Sequence, residues 1–307
     1  MNEARNLTRT DYLWITRSSA RSLINEIEGG GTVEGWFKQL DEANEQSSHY
    51  TDQWDDAESI GMPLANMGII GSGNASIAYS EAVQTKSPGE IGLKVVKTLT
   101  LAVASQVAFL NTFVKIAGIA VALASVKLFA RGFVINLSDK DLNLVRTSPY
   151  FENCDEATGP LTKVLPAPRK IMNPFPGQKN ELTDCVALQL LGVDNKIKLG
   201  GVDTVFFLDQ EGGKRSVLAF GMPRVNTPED KKKNPPDYYT EHSTLWPWDG
   251  DNGYQFLEAW KQGKLPGGPA RPGRGVKKGP VGSTTMWDYR TGGVTKACFG
   301  AVFTGGK

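Results

Sequence analysis

Histidine is nearly missing from this chain: His49 and His242 are the only two among 307 residues. A Ser-His-Asp or Cys-His nucleophile site would have to use one of them, and neither stands in a local motif with a nucleophile. His/Cys clusters with metal-ligand spacing are also absent. Gly71-Ser72-Gly73 lacks the Lys-Ser/Thr that makes a glycine loop specific for phosphate. The expectation is a protein without enzyme chemistry, metal or cofactor, although a glycosidase-like pair of carboxylates stays open at this point. Cysteine is scarce too. Cys154, Cys185 and Cys298 are too few for a disulfide scaffold and odd in number, so reduced thiols are expected. A Cys185–Cys298 bridge is the one pairing to consider, because both lie in strand-like runs. No apolar run follows the first charges of MNEARNLTRTDYLW, so no signal peptide is read there. Excess charge is lacking as well. Lys and Arg number 34 against 33 acids, a net charge of +1, which gives no argument for nucleic acid.

The most telling absence is local. No acid stands between Glu90 and Asp139, and within Ile91–Phe133 the only charges are Lys94, Lys97, Lys115, Lys127 and Arg131. The rest of that stretch is mostly Ala, Val, Leu and Ile. Ser87-Pro88-Gly89-Glu90 offers a cap, a first-turn proline and an acid, so a helix is expected over 89–131. On a helical wheel Lys94, Lys97, Thr98, Ser105, Thr112 and Lys115 share one arc, and the remaining face is broad and apolar. A fixed span fits poorly: Thr98–Val114 is shorter than the roughly 20 residues a bilayer needs. Two readings stay open on composition alone: a core helix, and a helix stored against the protein and released into a membrane.

Around this stretch the texture divides. Residues 1–88 read as a helical N-terminal region, with an amphipathic helix at Tyr12–Ile27 and a second at Thr32–His49 that shows Val33, Trp36, Phe37 and Leu40 on one face. Residues 61–76 read as loop or linker. From 132 to 307 short β-rich runs recur: Phe133–Leu137, Cys185–Leu191, Val202–Leu208, Ser216–Met222, Thr284–Tyr289 and Ala297–Phe303. Turn signals lie between them at 138–141, 177–180 and 210–214. Such spacing suggests a β-sandwich or barrel.

Two segments could meet a surface. The loop 261–280 is rich in Gly and Pro, and its Arg271, Arg274, Lys277 and Lys278 suit either solvent or an anionic surface. Tyr238, Tyr239, Trp246 and Trp248 stand among Pro, Asp and Gly. Aromatics so placed suit a membrane interface, sugar stacking or plain loop anchoring.

The segment from the apolar run onward resembles the actinoporins, α-pore-forming cytolysins in which an amphipathic helix leads straight into a β-sandwich. The resemblance covers about residues 91–226. It is carried by Lys127-Leu-Phe-Ala-Arg131-Gly-Phe-Val-Ile-Asn-Leu-Ser138-Asp139, by Ser148-Pro-Tyr150-Phe151, by Val164-Leu165-Pro166 and by the strand–turn–strand from Val205 through Pro223. Together with the helical reading of residues 1–88, it gives an α+β chain: an N-terminal helical region, a long apolar helix and an actinoporin-like C-terminal sandwich. It further implies binding to phospholipid or sphingolipid head groups through Pro223, Tyr238, Tyr239, Trp246 and Trp248. An oligomeric pore would follow, lined by Lys94, Lys97, Ser105, Thr112 and Lys115, with residues 1–88 as a candidate inhibitory or partner-binding segment. The chain would be soluble, released or exported by an unconventional route, and then associated with a target membrane. Two alternatives remain: a glycan-binding lectin of related sandwich fold, and an assembly protein with the apolar helix buried between subunits.

Overall fold

The computed structural model describes residues 12–29, 33, 35–40, 42, 64–73, 80, 128–152, 154–156, 164–172, 181–195, 202–210, 215–222, 242–262, 264, 277–279, 282–291 and 294–304. The β-rich runs of the sequence become strands, because β-branched and aromatic residues suit a half-buried pleated surface. In chain order they are β1 (Tyr12–Thr16), β2 (Ile69–Ser72), β3 (Leu128–Asn136), β4 (Leu142–Glu152), β5 (Cys154–Glu156), β6 (Val164–Leu165) and β7 (Arg169–Met172). After these come β8 (Leu182–Asn195), β9 (Val202–Gln210), β10 (Ser216–Met222), β11 (His242–Pro247), β12 (Lys277–Gly279), β13 (Gly282–Thr291) and β14 (Val294–Phe303). The helices α1 (Arg17–Glu28) and α2 (Gly253–Lys261) accompany them among the described residues.

One sheet has the order β12-β13-β14-β3-β8-β1-β2, with β5 and β7 also paired to β8. The other has the order β11-β10-β9-β4-β6. Strand β8 organises the larger sheet. Its Cys185 pairs with Thr16 of β1 and with Arg169 of β7, so β1 and β7 lie on opposite edges. Its Asp194 pairs with Phe129 of β3 and Asp155 of β5, so these too are opposed. Residues 187 to 194 of β8 pair with β3, whereas β1 takes residues 185 to 189. Strands β7 and β3 therefore follow one another along one edge of β8, and β1 and β5 along the other. Strands β3 and β14 are parallel, from Thr295↔Leu128 to Phe303↔Asn136.

The two sheets close on one apolar interior. Tyr12, Trp14, Val134, Cys185, Ala187, Leu191, Ala301 and Phe303 of the larger sheet meet Leu142, Phe206, Leu208, Leu218 and Leu245 of the smaller one. Alternation then sends Leu13, Ile15, Phe133, Ile135, Val186, Leu188 and Leu190 to the outer face of the larger sheet. That face is covered by Ala20, Leu23 and Ile27 of α1, by Val33, Phe37 and Leu40, and by Leu64 and Met67. The outer face of the smaller sheet, Val205, Phe207, Val217 and Ala219, is covered by Phe256, Leu257 and Trp260 of α2. The sandwich is thus flanked on both outer faces by helical segments. Each buried Leu, Ile or Phe in these covers contributes about 1.5–3 kcal/mol by area alone.

Several expectations are corrected. Tyr12–Ile27 is not one helix: Tyr12–Thr16 is strand, and helix begins at Arg17. The physical reason is that β1 is buried on both faces, so Tyr12, Leu13, Trp14 and Ile15 show no alternation. Thr16 then caps α1, its Oγ1 accepting from the Ser19 N–H at 3.2 Å. The 61–76 segment, read as loop, contains β2 and packs Leu64, Met67, Ile69 and Ile70 into the fold. Gly68 sits there at φ +76°, where a Cβ would stand 2.0 Å from Ser19 Oγ, so only glycine fits beside the α1 cap. The expected helix 89–131 is corrected at its end, where Leu128–Arg131 belongs to β3, paired with β14 from Leu128 and with β8 from Phe129. Residues 89–127 lie outside the described residues. Among the described residues no helix is long and apolar enough to cross a membrane.

The Cys185–Cys298 pairing is corrected as well. Cys298 pairs with Arg131, which pairs with Gly192, seven positions along β8 from Cys185. That offset is about 23 Å at a strand's rise, and a disulfide needs Cα atoms within about 7 Å. Cys185 is a free, buried thiol.

Candidate functional site

The registers sort the connections into two ends. The upper end is where β3 begins. Leu128 pairs there with Thr295, just after the β13–β14 turn. Phe129 pairs with Asp194, beside the β5 contact. Glu152 of β4 pairs with Asp203, and Gly221 with Asp203 and His242. The segment 223–241 therefore leaves and re-enters at the upper end, as does the apolar run 91–127 at its C-terminal side.

The lower end is where β3 finishes. Asn136 is fully buried there and ties both sheets together. Its Nδ2 donates to Lys140 O at 3.0 Å and Leu165 O at 2.9 Å, and its Oδ1 accepts from the Ser138 N–H at 3.0 Å. The Ser138 hydroxyl lies 2.7 Å from that Oδ1 and accepts from Gln210 Nε2 at 2.8 Å. A buried polar group with all its bonds made adds specificity without a desolvation penalty.

At the same lower end β9 and β10 meet α2. Asp209 and Arg215 flank the turn in a forked pair, Nε to Oδ1 at 2.8 Å and Nη2 to Oδ2 at 3.1 Å. The guanidinium stands over the Phe207 ring at 5.3 Å, and its basicity is raised above the ordinary value chiefly by the Asp209 hydrogen bond. Asn252 caps α2, its Oδ1 accepting from the Gln255 N–H at 3.1 Å. The four-residue spacing puts Phe256 and Trp260 on one helix face, ring centroids 6.3 Å apart. Trp248 meets Phe256 edge-on at 5.3 Å. Its indole also crowds Gly250, where a Cβ would stand 2.6 Å from Nε1. Among the described residues that Nε1 and Ser216 Oγ are buried without a hydrogen-bond partner. Tyr254, half exposed, projects at the start of α2.

This geometry divides the aromatic residues singled out from sequence. Trp246 and Trp248 pack against the Phe207–Phe256–Trp260 cluster at the lower end. Pro223, Tyr238 and Tyr239 lie outside the described residues, in the segment that joins Met222 to His242 at the upper end. Gly221↔His242 marks the upper end of β11 and Ser216↔Pro247 its lower end. Lys94, Lys97, Ser105, Thr112 and Lys115 lie outside the described residues, as do Arg271 and Arg274. Lys277 and Lys278 are on β12, opposite Thr284 and Ser283. The α2 cluster was missed in sequence, although Asn252 followed by Phe256 and Trp260 at helical spacing is a legible cap and stripe. Among the described residues no three His, Cys, Asp or Glu side chains gather as a metal site.

No protein-family model matches the chain. No curated protein sequence matches it either. Among solved structures it is similar to the lipid-binding protein Nakanori, at a TM-score of 0.40 and 7% identity, over 72% of this chain and 92% of that one.

Proposed function

We propose that this protein binds a lipid bilayer with its upper end and inserts residues 91–127 to form an oligomeric pore. The observation that carries this reading is the acid-free cationic apolar run itself, which joins the sandwich at Leu128. A core role for the run would need an apolar face to cover. Among the described residues, the outer faces formed by Leu13, Phe133 and Leu188 and by Val205, Phe207 and Val217 are covered by α1 with Val33, Phe37, Leu40, Leu64 and Met67, and by α2. The lysines also argue for a lipid surface. Each Lys or Arg close to an anionic leaflet contributes about 1 kcal/mol of attraction, and no carboxylate in the run cancels it.

The chain leaves β10 at Met222 and enters β11 at His242 on the same end as Leu128, and in this reading Pro223, Tyr238 and Tyr239 of that connection meet lipid where the run inserts. Trp246 and Trp248 act instead as packing residues beneath α2. The test is leakage of dye from vesicles of zwitterionic lipid, anionic lipid and sphingomyelin mixtures, using the full chain. The expected result is binding and leakage, stronger on anionic vesicles, and loss of leakage on Val121→Glu. The absence of leakage from every lipid would overturn the reading.

A further inference from the structure

We draw no further inference here: the strongest candidate, the acidic corner at the upper end of the sandwich where Glu152 stands opposite Asp203 and Asp155 opposite Asp194, is a cluster of carboxylates beside which no second feature among the described residues points to a ligand.

Discussion

The Ser80 hydroxyl accepts a 2.7 Å hydrogen bond from the Met172 backbone N–H, and both partners are buried. Ninety-two positions of sequence separate them. The bond fixes the chain at the lower end of β7 before it continues to the apolar run. Ser80→Ala leaves a buried N–H without its acceptor, at about 1–3 kcal/mol. The expected outcome is a lower urea midpoint at unchanged m, with leakage from anionic vesicles starting sooner because one hold on the run is gone. An unchanged midpoint would remove this bond from the anchoring account.

A boundary at residue 88 cuts across the larger sheet, because β1 and β2 precede it and pair with β8 and with each other. Trp14 shows the consequence at one residue. Its ring is fully buried, lies edge-on to Tyr12 at 5.5 Å and bonds to Gly73 O. Trp14→Ala is expected to cost about 3–5 kcal/mol. Deleting residues 1–88 removes both strands and the α1 cover, so the truncated chain should show no cooperative thermal transition. Circular dichroism melts of the two variants check this. A truncated chain with a sharp transition near that of the parent would show the sandwich to stand without β1.

Most strands on the C-terminal side were legible, since Phe133–Leu137, Cys185–Leu191, Val202–Leu208 and Ser216–Met222 alternate or run apolar between clear turns, and β3, β8, β9 and β10 contain nearly all of these residues. The N-terminal strands were not. Four buried residues in a row at Tyr12–Ile15 carry no period, and β2 is short and glycine-flanked. The placement of Trp246 and Trp248 against α2 could not be read either, because β11 carries the chain from Gly221↔His242 to the lower end at Ser216↔Pro247. Register is a tertiary property that no local pattern records.

The α2 cluster separates packing aromatics from exposed ones. Phe256 is fully buried between Trp248 and Trp260, whereas Tyr254 is 51% exposed two residues earlier. Phe256→Ala should cost about 3–5 kcal/mol and Tyr254→Ala less than about 0.5 kcal/mol. If the lower end is remote from lipid, Tyr254→Ala also leaves vesicle affinity unchanged. Urea titration and vesicle sedimentation of both variants check these values. A tenfold loss of affinity in Tyr254→Ala would place the lower end at the membrane instead.

Alkaline pH should weaken the fold through two groups in the sandwich interior. Burial, reinforced by the neighbouring Asp184 charge, pushes the Cys185 thiol from 9.0 up to about 12. Burial likewise raises the Tyr12 phenol above its ordinary 10.0, opposed by Arg169 and aided by Asp141. In both cases the unfolded chain loses its proton first. The stability these groups confer is therefore complete below pH 9 and declines as pH climbs toward their folded values. Each group adds a slope of about 1.4 kcal/mol per pH unit once its unfolded form titrates. Cys185→Ala removes the earlier of the two declines. Urea midpoints at pH 8, 9 and 10 should fall steeply above 9 in the parent and remain flatter to about pH 10 in the variant. Parallel curves for the two proteins would mean that the Cys185 thiol ionises in the fold as readily as in the open chain.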